Sequence, residues 1–423
     1  MFFHFVKKGD NLYNLSKLYE VPLSRLIQDN LINNPNNLSI GDCLIIRKDP
    51  FIYTSKSGDT FSSISKKYNI NEEKLRKDNK SISEPIKENS KISIMYESDN
   101  KDNIKVNGYT YPTIKDDLLE KTLPYLTYLS IFAYKFDEDG ELSTMDEERI
   151  IQKARMYNVS PIMVITNVKE KGGFSPRLVH SLLSDNSKID TFLNDVLKIL
   201  KDKNYHGVNI DFEYIYEDDK DLYESFMKKA YDFFSSKDYL YLTSFAPKNS
   251  DNQKGLLYTS HDYNIVEEYN DLVILMTYEW GYTYSESMPV SPINKVEDVI
   301  KYAVSKIDSD KILMGIPNYG YDFTLPYEKN KAAKSLSLSQ AKEEAFNKGV
   351  EIKYDNISQT PYYKYKENGT MHEVQFDNAY SFYKKLELVD EYNLEGISIW
   401  TIKTYNPAYY LLLNHFFNIE KVL

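Results

Sequence analysis

Eight strand-like segments, separated by helical patterns, span residues 106–423, and this alternation restricts the possible fold more than any other feature of the sequence. The strand-like segments are Val106–Tyr111, Leu126–Ala133, Ile162–Thr166, Gly207–Glu213, Leu240–Ala246, Leu272–Tyr278, Ile312–Pro317 and Gly396–Trp400. The clearest helical patterns are Asp146–Tyr157, Ile189–Lys201, Asp221–Phe234, Val296–Ile307 and Ala379–Tyr392. Eight strands that alternate with helices predict an α/β fold of the (β/α)8 TIM barrel type.

The fourth strand-like segment has one apolar face and one polar face. Its residues alternate in the order Val208, Asn209, Ile210, Asp211, Phe212 and Glu213. Successive side chains of a strand point to opposite faces, so the amide and both acids share one face. An ordinary solvated strand would mix Lys, Thr and Ser on that face. Glu213 ends the strand, at the edge where a barrel of this type carries its chemistry.

The connection between the seventh and eighth strands is too long for a single helix. Residues 321–377 contain one helical pattern and three short strand-like runs: Ser337–Lys348, Glu351–Tyr354, Pro361–Lys366 and His372–Phe376. A Glu-Asn-Gly turn joins the last two runs as a hairpin. We predict a small α+β insertion, which either forms one wall of a cleft or stabilises the barrel without contacting a ligand.

The first 96 residues contain an internal repeat. Gly9 and Asp10 recur as Gly58 and Asp59, and this offset of 49 residues relates the two copies without a gap. Each copy reads as a strand, a Gly-Asp turn, two short helices and a closing strand. The predicted strands are Phe3–Val6, Cys43–Arg47, Ile52–Ser55 and Lys91–Tyr96. The core predicted for the first copy consists of Leu15, Leu18, Val21, Leu26 and Ile45.

These patterns divide the chain into four parts. Module 1 comprises residues 1–48, module 2 residues 49–96, a polar linker residues 97–105 and the barrel domain residues 106–423. Because the linker is short, we expect the modules to stay near the barrel. Cys43 is the single cysteine, which excludes an intramolecular disulfide. It alternates with apolar strand residues, so we predict a buried side chain rather than a reactive thiol.

Charge and hydropathy exclude two classes of function. The formal net charge is −11, and the first 96 residues hold 15 Lys and Arg against 11 Asp and Glu. The barrel domain is therefore acidic, which makes it a poor nucleic-acid binder. The sequence contains no run of 18 apolar residues, so no membrane span is predicted. The N-terminus shows no pattern of a signal peptide, so we expect a chain made without a visible secretion signal.

Four motifs follow one another through the barrel domain. They are His206–Glu213 on the fourth strand, Met276–Tyr278 on the sixth, Gly315–Gly320 on the seventh and Trp400 at the end of the eighth. The series resembles glycoside hydrolase family 18, which carries Asp-Gly-x-Asp-x-Asp-x-Glu, Met-x-Tyr, Gly-x-Pro-x-Tyr-Gly and a terminal Trp on these strands. The chain departs from the pattern at three places, because His206, Asn209 and Glu279 stand where the family has Asp.

The repeated units resemble LysM modules. In the first unit the opening stretch from Val6 to Tyr19, the central Leu26–Asn30 and the closing Leu38–Ile46 carry the resemblance. The second unit has Ser90 where the first has Gly41, which leaves its glycan binding open. The resemblance implies binding to polymers that contain N-acetylglucosamine, above all peptidoglycan.

The resemblance to family 18 implies roles for individual residues. Glu213 protonates the glycosidic oxygen while the 2-acetamido group of the sugar attacks C1, in place of a second catalytic carboxylate. Asp211 binds the acetamido N–H and stabilises the cation, and Tyr278 holds the acetamido oxygen. The predicted substrate-binding residues are Asn209, Trp400, Tyr319, Met276 and Trp280. Trp400 would form the floor of the sugar site by stacking, whereas Trp280 is about equally well explained as a rim or core aromatic.

Titration and metal binding yield further predictions. Like-charge repulsion by Asp211 raises the pKa of Glu213, as a general acid requires. With Asn209 and His206 in place of further acids, we predict a single acidic limb in the pH-rate profile, changed by Asn209→Asp. His206 at the start of a strand is read as a structural histidine. The six histidines lack metal-ligand spacing, so no metal and no cofactor are predicted.

Two LysM-like modules ahead of a family-18 barrel resemble the spore cortex-lytic enzymes of endospore formers. The resemblance implies a monomeric N-acetylglucosaminidase that acts on cortex peptidoglycan during germination, at the boundary of coat and cortex, with retention of configuration. Two alternatives stay open: a non-catalytic lectin that binds peptidoglycan or chitin, and a chitinase. A lectin would release no reducing ends, and a chitinase would cleave chitin oligomers faster than cortex fragments.

Overall fold

Each N-terminal module contains two helices and a two-stranded antiparallel sheet in the computed structural model, which describes residues 1–32, 34–36, 38–47, 51–68, 72–94 and 101–423. In module 1 the elements are β1 (Phe2–Phe5), α1 (Leu12–Tyr19), α2 (Leu23–Asp29) and β2 (Cys43–Ile46). In module 2 they are β3 (Phe51–Thr54), α3 (Phe61–Tyr68), α4 (Glu72–Asp78) and β4 (Lys91–Ile94). The predicted α+β architecture of both modules is confirmed.

A closed barrel of eight parallel strands follows the modules. From residue 102 onward the elements are β5 (Asp102–Thr110), α5 (Asp116–Thr122), β6 (Tyr128–Lys135), α6 (Glu148–Met156), β7 (Ser160–Thr166), α7 (Pro176–Leu183), α8 (Asn186–Asp202), β8 (Gly207–Asp211), α9 (Lys220–Ser235), β9 (Leu240–Phe245), α10 (Tyr263–Val266), β10 (Leu272–Leu275), α11 (Ile293–Ala303), β11 (Ile312–Pro317), β12 (Gly320–Leu325), β13 (Lys334–Leu336), α12 (Leu338–Lys348), β14 (Lys353–Asp355), β15 (Thr360–Glu367), β16 (Thr370–Gln375), α13 (Ala379–Glu391), β17 (Gly396–Trp400), α14 (Pro407–Phe416) and β18 (Phe417–Ile419). Strands β5 to β11 and β17 pair in chain order, and β17 closes the ring on β5. The predicted barrel and its eight strands are confirmed.

The first barrel strand begins earlier than the sequence predicts. β5 starts at Asp102, inside the predicted linker of residues 97–105, because the C-terminal strand β18 pairs with its first residues. The polar run therefore supplies the outer end of a strand, and β18 itself was not predicted. Residues 95–100, which include the rest of the linker and the end of the strand predicted for module 2, lie outside the described residues. None of the described helices combines the length and hydrophobicity needed to cross a bilayer.

The insertion between β11 and α13 is a five-stranded antiparallel sheet with one helix. Its strand order is β13-β12-β16-β15-β14, and α12 connects β13 to β14. The predicted helix, three strands and hairpin are confirmed. Strands β12 and β13 were not predicted, since Gly320–Leu325 directly follows the seventh barrel strand and shows no turn signal before it. The insertion stands at the carboxyl ends of the barrel strands, where β11 leads into it.

The two faces of β8 carry the predicted difference in polarity. Val208, Ile210 and Phe212 pack into the large core between the strands and the outer helices. The ring of Phe212 lies 5.8 Å from that of Phe226 on α9. Asn209 therefore points into the barrel interior. Asp211, two residues further along the same face of the strand, lies at the mouth of the barrel.

Module 1 has a core of its own, and two of the five predicted positions differ. Leu15, Val21 and Leu26 are buried in that core as predicted. Leu18 is 66% exposed, because Leu12 and Leu15 take the inward face of the short helix α1. Ile45 is buried on the opposite face of β2 from Leu44 and Ile46, so it packs against the barrel domain instead of the module core.

Module 1 is packed onto the barrel domain through apolar side chains. Cys43 and Ile45 belong to the core of the barrel domain, and Cys43 is fully buried. The ring of Phe3 lies 5.3 Å from Tyr380 on α13, and the ring of Phe5 lies 6.2 Å from Tyr354 on β14. The predicted burial of Cys43 is confirmed, and burial raises the pKa of its thiol to about 12. Both the insertion and α13 thus contact module 1.

Polar contacts complete this interface. Ile352 N donates a hydrogen bond to Ile40 O at 2.9 Å. Lys342 on α12 forms an ion pair with Asp42 at 3.0 Å, and the Lys342 carbonyl accepts from the Ser39 hydroxyl at 2.8 Å. A Cβ atom on Gly41 would meet Ile352 O at 1.8 Å, so only glycine permits this close approach.

Replacing Gly41 by Ala is expected to separate module 1 from the barrel domain. The residue has a φ of +82°, which costs a non-glycine residue roughly 1–3 kcal/mol, and the new methyl group would collide with the backbone of the insertion. The readout is the rate at which a thiol reagent modifies Cys43 in the native protein, which should rise. Gly9→Ala is the control, because Gly9 has a φ of +94° in the same module but no atom near its Cβ position. Equal labelling of both variants would contradict the expectation.

Candidate active site

The carboxyl ends of the barrel strands surround a cavity of about 620 Å³. Six of the residues singled out in the sequence line it: Asp211, Glu213, Met276, Tyr278, Trp280 and Trp400. The strands β8, β10 and β17 bring them together from positions far apart in the chain. The geometry therefore assembles most of the predicted set around one space, at the end of the barrel where parallel strands present their carboxyl termini.

Asp211 is the last residue of β8 and is held in a nearly dry position. Its side chain is only 5% exposed, and its Oδ1 atom has no hydrogen-bond partner among the described residues. Burial raises the pKa of Asp211, and a hydrogen bond with Ser244 opposes that rise. An unpaired carboxylate oxygen beside an open cavity is suited to accept a hydrogen bond from a ligand.

Glu213 follows the strand and is fixed through its backbone. The Asn167 side chain accepts a hydrogen bond from Glu213 N at 2.9 Å and donates one to Glu213 O at 2.7 Å. Burial raises the pKa of Glu213 well above its usual range, and the charges of Asp211 and Glu279 raise it further. Burial is the larger cause, whereas the sequence indicated only the repulsion by Asp211. Both effects favour the protonated form of Glu213, which a general acid requires.

Asn209 lies beneath the cavity rather than on its wall. It is fully buried in the barrel interior, where its Nδ2 donates to Tyr109 Oη at 2.5 Å and to Ser244 Oγ at 3.1 Å. Tyr109 and Ser244 line the cavity, so Asn209 supports two wall residues. Its predicted contact with substrate and the predicted effect of Asn209→Asp on the pH-rate profile stay predictions.

Glu279 occupies the position where the family has Asp, and it binds two tyrosines. Its Oε1 accepts hydrogen bonds from Tyr319 Oη at 3.0 Å and Tyr321 Oη at 3.1 Å. Burial raises the pKa of Glu279, and the two hydrogen bonds oppose the rise. Through this contact Tyr319 is placed in a neighbouring groove of about 410 Å³ instead of the cavity around the carboxylates. Its predicted contact with substrate stays a prediction.

Aromatic rings pack around Trp400 on the opposite side of the cavity from β8. Its ring centroid lies 5.0 Å from Phe132 and 5.1 Å from Tyr109, both in edge-to-face arrangements. These contacts fix the plane of the indole, and Trp400 lines the cavity. Trp280 lines the same cavity and also packs against the main core. Its position therefore fits both a substrate-binding residue and a core aromatic.

Two positioning residues were missed in the sequence. Asn167 follows β7 and holds Glu213, as described above. His261 is fully buried and joins two strand ends, because its Nδ1 accepts from Ala246 N at 2.8 Å and its Nε2 donates to Phe212 O at 2.9 Å. Burial lowers the pKa of His261 to about 4, so the ring stays neutral. For Asn167, the only available signal was an amide directly after a buried strand.

His206 lies at the amino end of β8, opposite the cavity. Its backbone N donates to Pro161 O at 2.8 Å, and burial lowers the pKa of the ring, an effect to which the nearby Arg155 adds. This placement agrees with the structural interpretation of His206. The chemistry of the site thus rests on carboxyl, phenol and indole groups.

The fold, the two acids at the end of β8 and the aromatic side chains around the cavity are typical of a carbohydrate-cleaving class of protein. The family model of glycosyl hydrolases family 18 matches residues 94–404, and the LysM domain model matches residues 4–47 and 53–94. The chain belongs to glycosyl hydrolases family 18 and carries two LysM domains ahead of the barrel.

Comparisons with individual proteins show which members of the family the chain is similar to. The chain is 35% identical over 329 residues to the cortical fragment-lytic enzyme of Bacillus subtilis, with 76% of each chain covered. It is 29% identical over 427 residues to the putative sporulation-specific glycosylase YdhD of the same organism, with 100% of each covered. The crystal structure of the spore cortex-lytic enzyme SleL of Bacillus megaterium superposes with a TM-score of 0.88 at 34% identity, over 100% of this chain and 99% of that chain.

Replacing Asn167 by Ala is expected to lower kcat with little change in KM. The substitution frees the backbone of Glu213, and a misplaced acid costs catalysis more than ground-state binding, so we expect a loss of about 10- to 100-fold. The measurement is kcat and KM for release of reducing ends from cortex fragments. Asn186→Ala, on the outer helix α8, is the control. A rise in KM at constant kcat would contradict the positioning role.

Proposed function

We propose that this protein hydrolyses spore cortex peptidoglycan at the β-1,4 bond that follows N-acetylglucosamine, with retention of configuration. The observation that carries the proposal is the pair formed by the half-buried Glu213 and the buried Asp211 at one strand end. Both line the cavity that Trp400 lines from the other side. The relatives named for cortex lysis and sporulation support the choice of substrate. They also support a location in the spore. Within the spore, the boundary of coat and cortex is our proposal.

The proposed reaction uses the substrate's own acetamido group. Glu213 gives its proton to the glycosidic oxygen as the C1–O bond breaks, and the acetamido oxygen forms a bond to C1 from the opposite face. This step yields an oxazolinium ion and the released glycan. Water, deprotonated by the Glu213 carboxylate, then attacks C1, reopens the ring and restores the proton to Glu213. Two inversions at C1 give net retention.

Asp211 and Tyr278 are proposed to hold the acetamido group during this sequence. The unpaired Oδ1 of Asp211 accepts the acetamido N–H, and the ionised carboxylate stabilises the positive charge of the oxazolinium ring. Tyr278 lines the same cavity, and burial raises the pKa of its phenol well above the usual range, so it stays a hydrogen-bond donor to the acetamido oxygen. Met276 and Trp280 complete the wall of the sugar site.

A test separates three outcomes. Purified cortex and chitin oligomers are incubated with the protein, and the released fragments are reduced and identified by mass spectrometry. Fragments that end in reduced N-acetylglucosamine, formed faster from cortex than from chitin, support the proposal. Faster cleavage of chitin indicates a chitinase, and retention of polymer without new reducing ends indicates a lectin. Fragments that end in reduced muramic acid would overturn the proposed bond.

A monomer with module 1 bound to the same glycan polymer is proposed as the working form. The interface between module 1 and the barrel is made within one chain, so the site described above is complete without a second copy. Size-exclusion chromatography with light scattering tests this statement, and a dimer mass would contradict it.

A further inference from the structure

Three cavities share lining residues and follow one another from the active site to module 1. The active-site cavity and the neighbouring groove of about 410 Å³ share Glu279 and Trp400. That groove shares Asn318 and Thr404 with a third cavity of about 90 Å³. The third cavity lies between the barrel domain and the loop of module 1 that joins α2 to β2. We name this path the interdomain groove.

The groove leaves the active site on the side away from the acid. Glu213 lines the active-site cavity but not the neighbouring groove, whereas Trp400 lines both. A sugar stacked on Trp400 with its glycosidic oxygen at Glu213 has its leaving group on the side of the acid. Sugars toward the non-reducing end then lie beyond Trp400, in the interdomain groove.

Three buried residues at the far end of the groove each keep one polar atom without a partner among the described residues. These atoms are Asn318 Oδ1, Asp377 Oδ2 and Asn378 Nδ2. Their side chains are 5%, 1% and 2% exposed, and all three residues line the third cavity. Buried polar groups in folded proteins are nearly always paired, so three such atoms around one cavity indicate a missing polar ligand.

The other polar atom of each side chain fixes its orientation. Asn318 Nδ2 donates to the carbonyl oxygens of residues 401 and 404, at 3.0 and 2.9 Å, so its Oδ1 faces away from them. Asn378 Oδ1 caps α13 by accepting from two backbone N–H groups at 3.0 Å. Asp377 Oδ1 accepts from Lys385 Nζ at 2.6 Å. Two acceptors and one donor are thus held in place, a set suited to hydroxyl and acetamido groups.

We propose that the glycan strand cleaved at Glu213 continues along the interdomain groove and ends against module 1, so that the barrel, the insertion and module 1 bind one strand together. The packing of module 1 on the barrel completes the third cavity, since Asn34, Leu38 and Ser39 form its outer wall. The orientation of the strand rests on the proposed function, but the existence of the distal site does not.

The test measures binding without catalysis. The full chain with Glu213→Gln is titrated calorimetrically with peptide-free cortex glycan fragments, from disaccharide to octasaccharide. We expect affinity to keep rising with length after the active-site cavity is filled. Ser339→Trp, added on α12 at the third cavity, should block the groove and lower affinity for the longest fragment by about tenfold, the net value of one or two lost hydrogen bonds. Asn347→Trp, exposed on the same helix outside the groove lining, is the matched control.

A second variant removes one polar atom and leaves the fold in place. Asn378→Ser keeps an oxygen to cap α13 and loses the free amide nitrogen, so it should weaken only the longest fragments, several-fold. An affinity that stops rising at the length of the active-site cavity, or Ser339→Trp with the same length dependence as Asn347→Trp, would overturn the inference and assign the cavity to water. A wild-type chain that releases no reducing ends would overturn the proposed function while leaving the length dependence intact.

Discussion

Replacing Glu213 by Gln is expected to lower kcat for cortex hydrolysis by about 10³-fold while binding is retained. General acid catalysis contributes roughly 10²- to 10⁴-fold, and the poor leaving group of a glycoside makes a loss well above the lower end of that range the expected result. Gln has nearly the same shape as the protonated acid, so the cavity keeps its form. The measurement is the initial rate of reducing-end release, together with the affinity for cortex fragments.

The control for this variant is Glu217→Gln. Glu217 lies four residues further along the chain and is exposed, so its removal changes the net charge equally and leaves the cavity untouched. Its rate should equal that of the wild type. Comparable rates in Glu213→Gln and the wild type would mean that another group protonates the leaving oxygen, and the mechanism proposed above would be wrong.

Replacing Asp211 by Asn is expected to lower kcat by about 10²- to 10³-fold and to move the pH-rate profile. The loss follows from removing the negative charge beside the developing oxazolinium ion, an effect similar in size to the loss of one oxyanion-hole donor. Since Asp211 also raises the pKa of Glu213, its neutralisation lowers that pKa. Activity needs the protonated acid and disappears as pH rises through its pKa, so the alkaline limb should shift to lower pH.

The same substitution has an opposite effect on stability. Burial raises the pKa of Asp211 above its value in the unfolded chain, so the folded state binds its proton more tightly. This contribution to stability is fully present below the unfolded pKa and is lost as pH rises toward the folded pKa. Asp211→Asn should therefore raise Tm relative to the wild type at pH 8 but not at pH 4. An unchanged alkaline limb together with an unchanged Tm difference would contradict the pKa assignment.

The barrel could be predicted because each of its strands carries its own signal. The run from Leu272 to Leu275 is apolar throughout, as a strand buried on both faces requires, and β8 shows its two faces in its alternation. β13 and β18 were not predicted because each has only three residues, too few to show a pattern. They form strands by pairing with β12 and β5, respectively. Leu18 was wrongly predicted in the core of module 1, because the hydrophobic periodicity of a short helix does not show which of its faces packs against the rest of the module.

The sequence predicted those site residues that belong to recognisable motifs and missed the residues that do not. Asp211, Glu213, Tyr278 and Trp400 stand in a recognisable frame and meet around one cavity. Asn167 belongs to no recognisable motif, because it acts through two hydrogen bonds to the backbone of Glu213, which lies 46 residues later in the chain. The dominance of burial over repulsion in the pKa of Glu213 could likewise not be predicted, since the burial of a side chain depends on the packing of the whole fold around it.

The packing of module 1 on the barrel has a consequence for module 2. Module 2 has a core of its own, and the chain enters it from module 1 and leaves it into the barrel, so both of its ends are attached to one packed body. A domain tethered at both ends explores a much smaller volume than one hanging from a single linker. A glycan strand bound to module 2 would therefore stay at a high effective concentration near the cleft, and a single proteolytic cut on either side of module 2 should leave the catalytic body assembled.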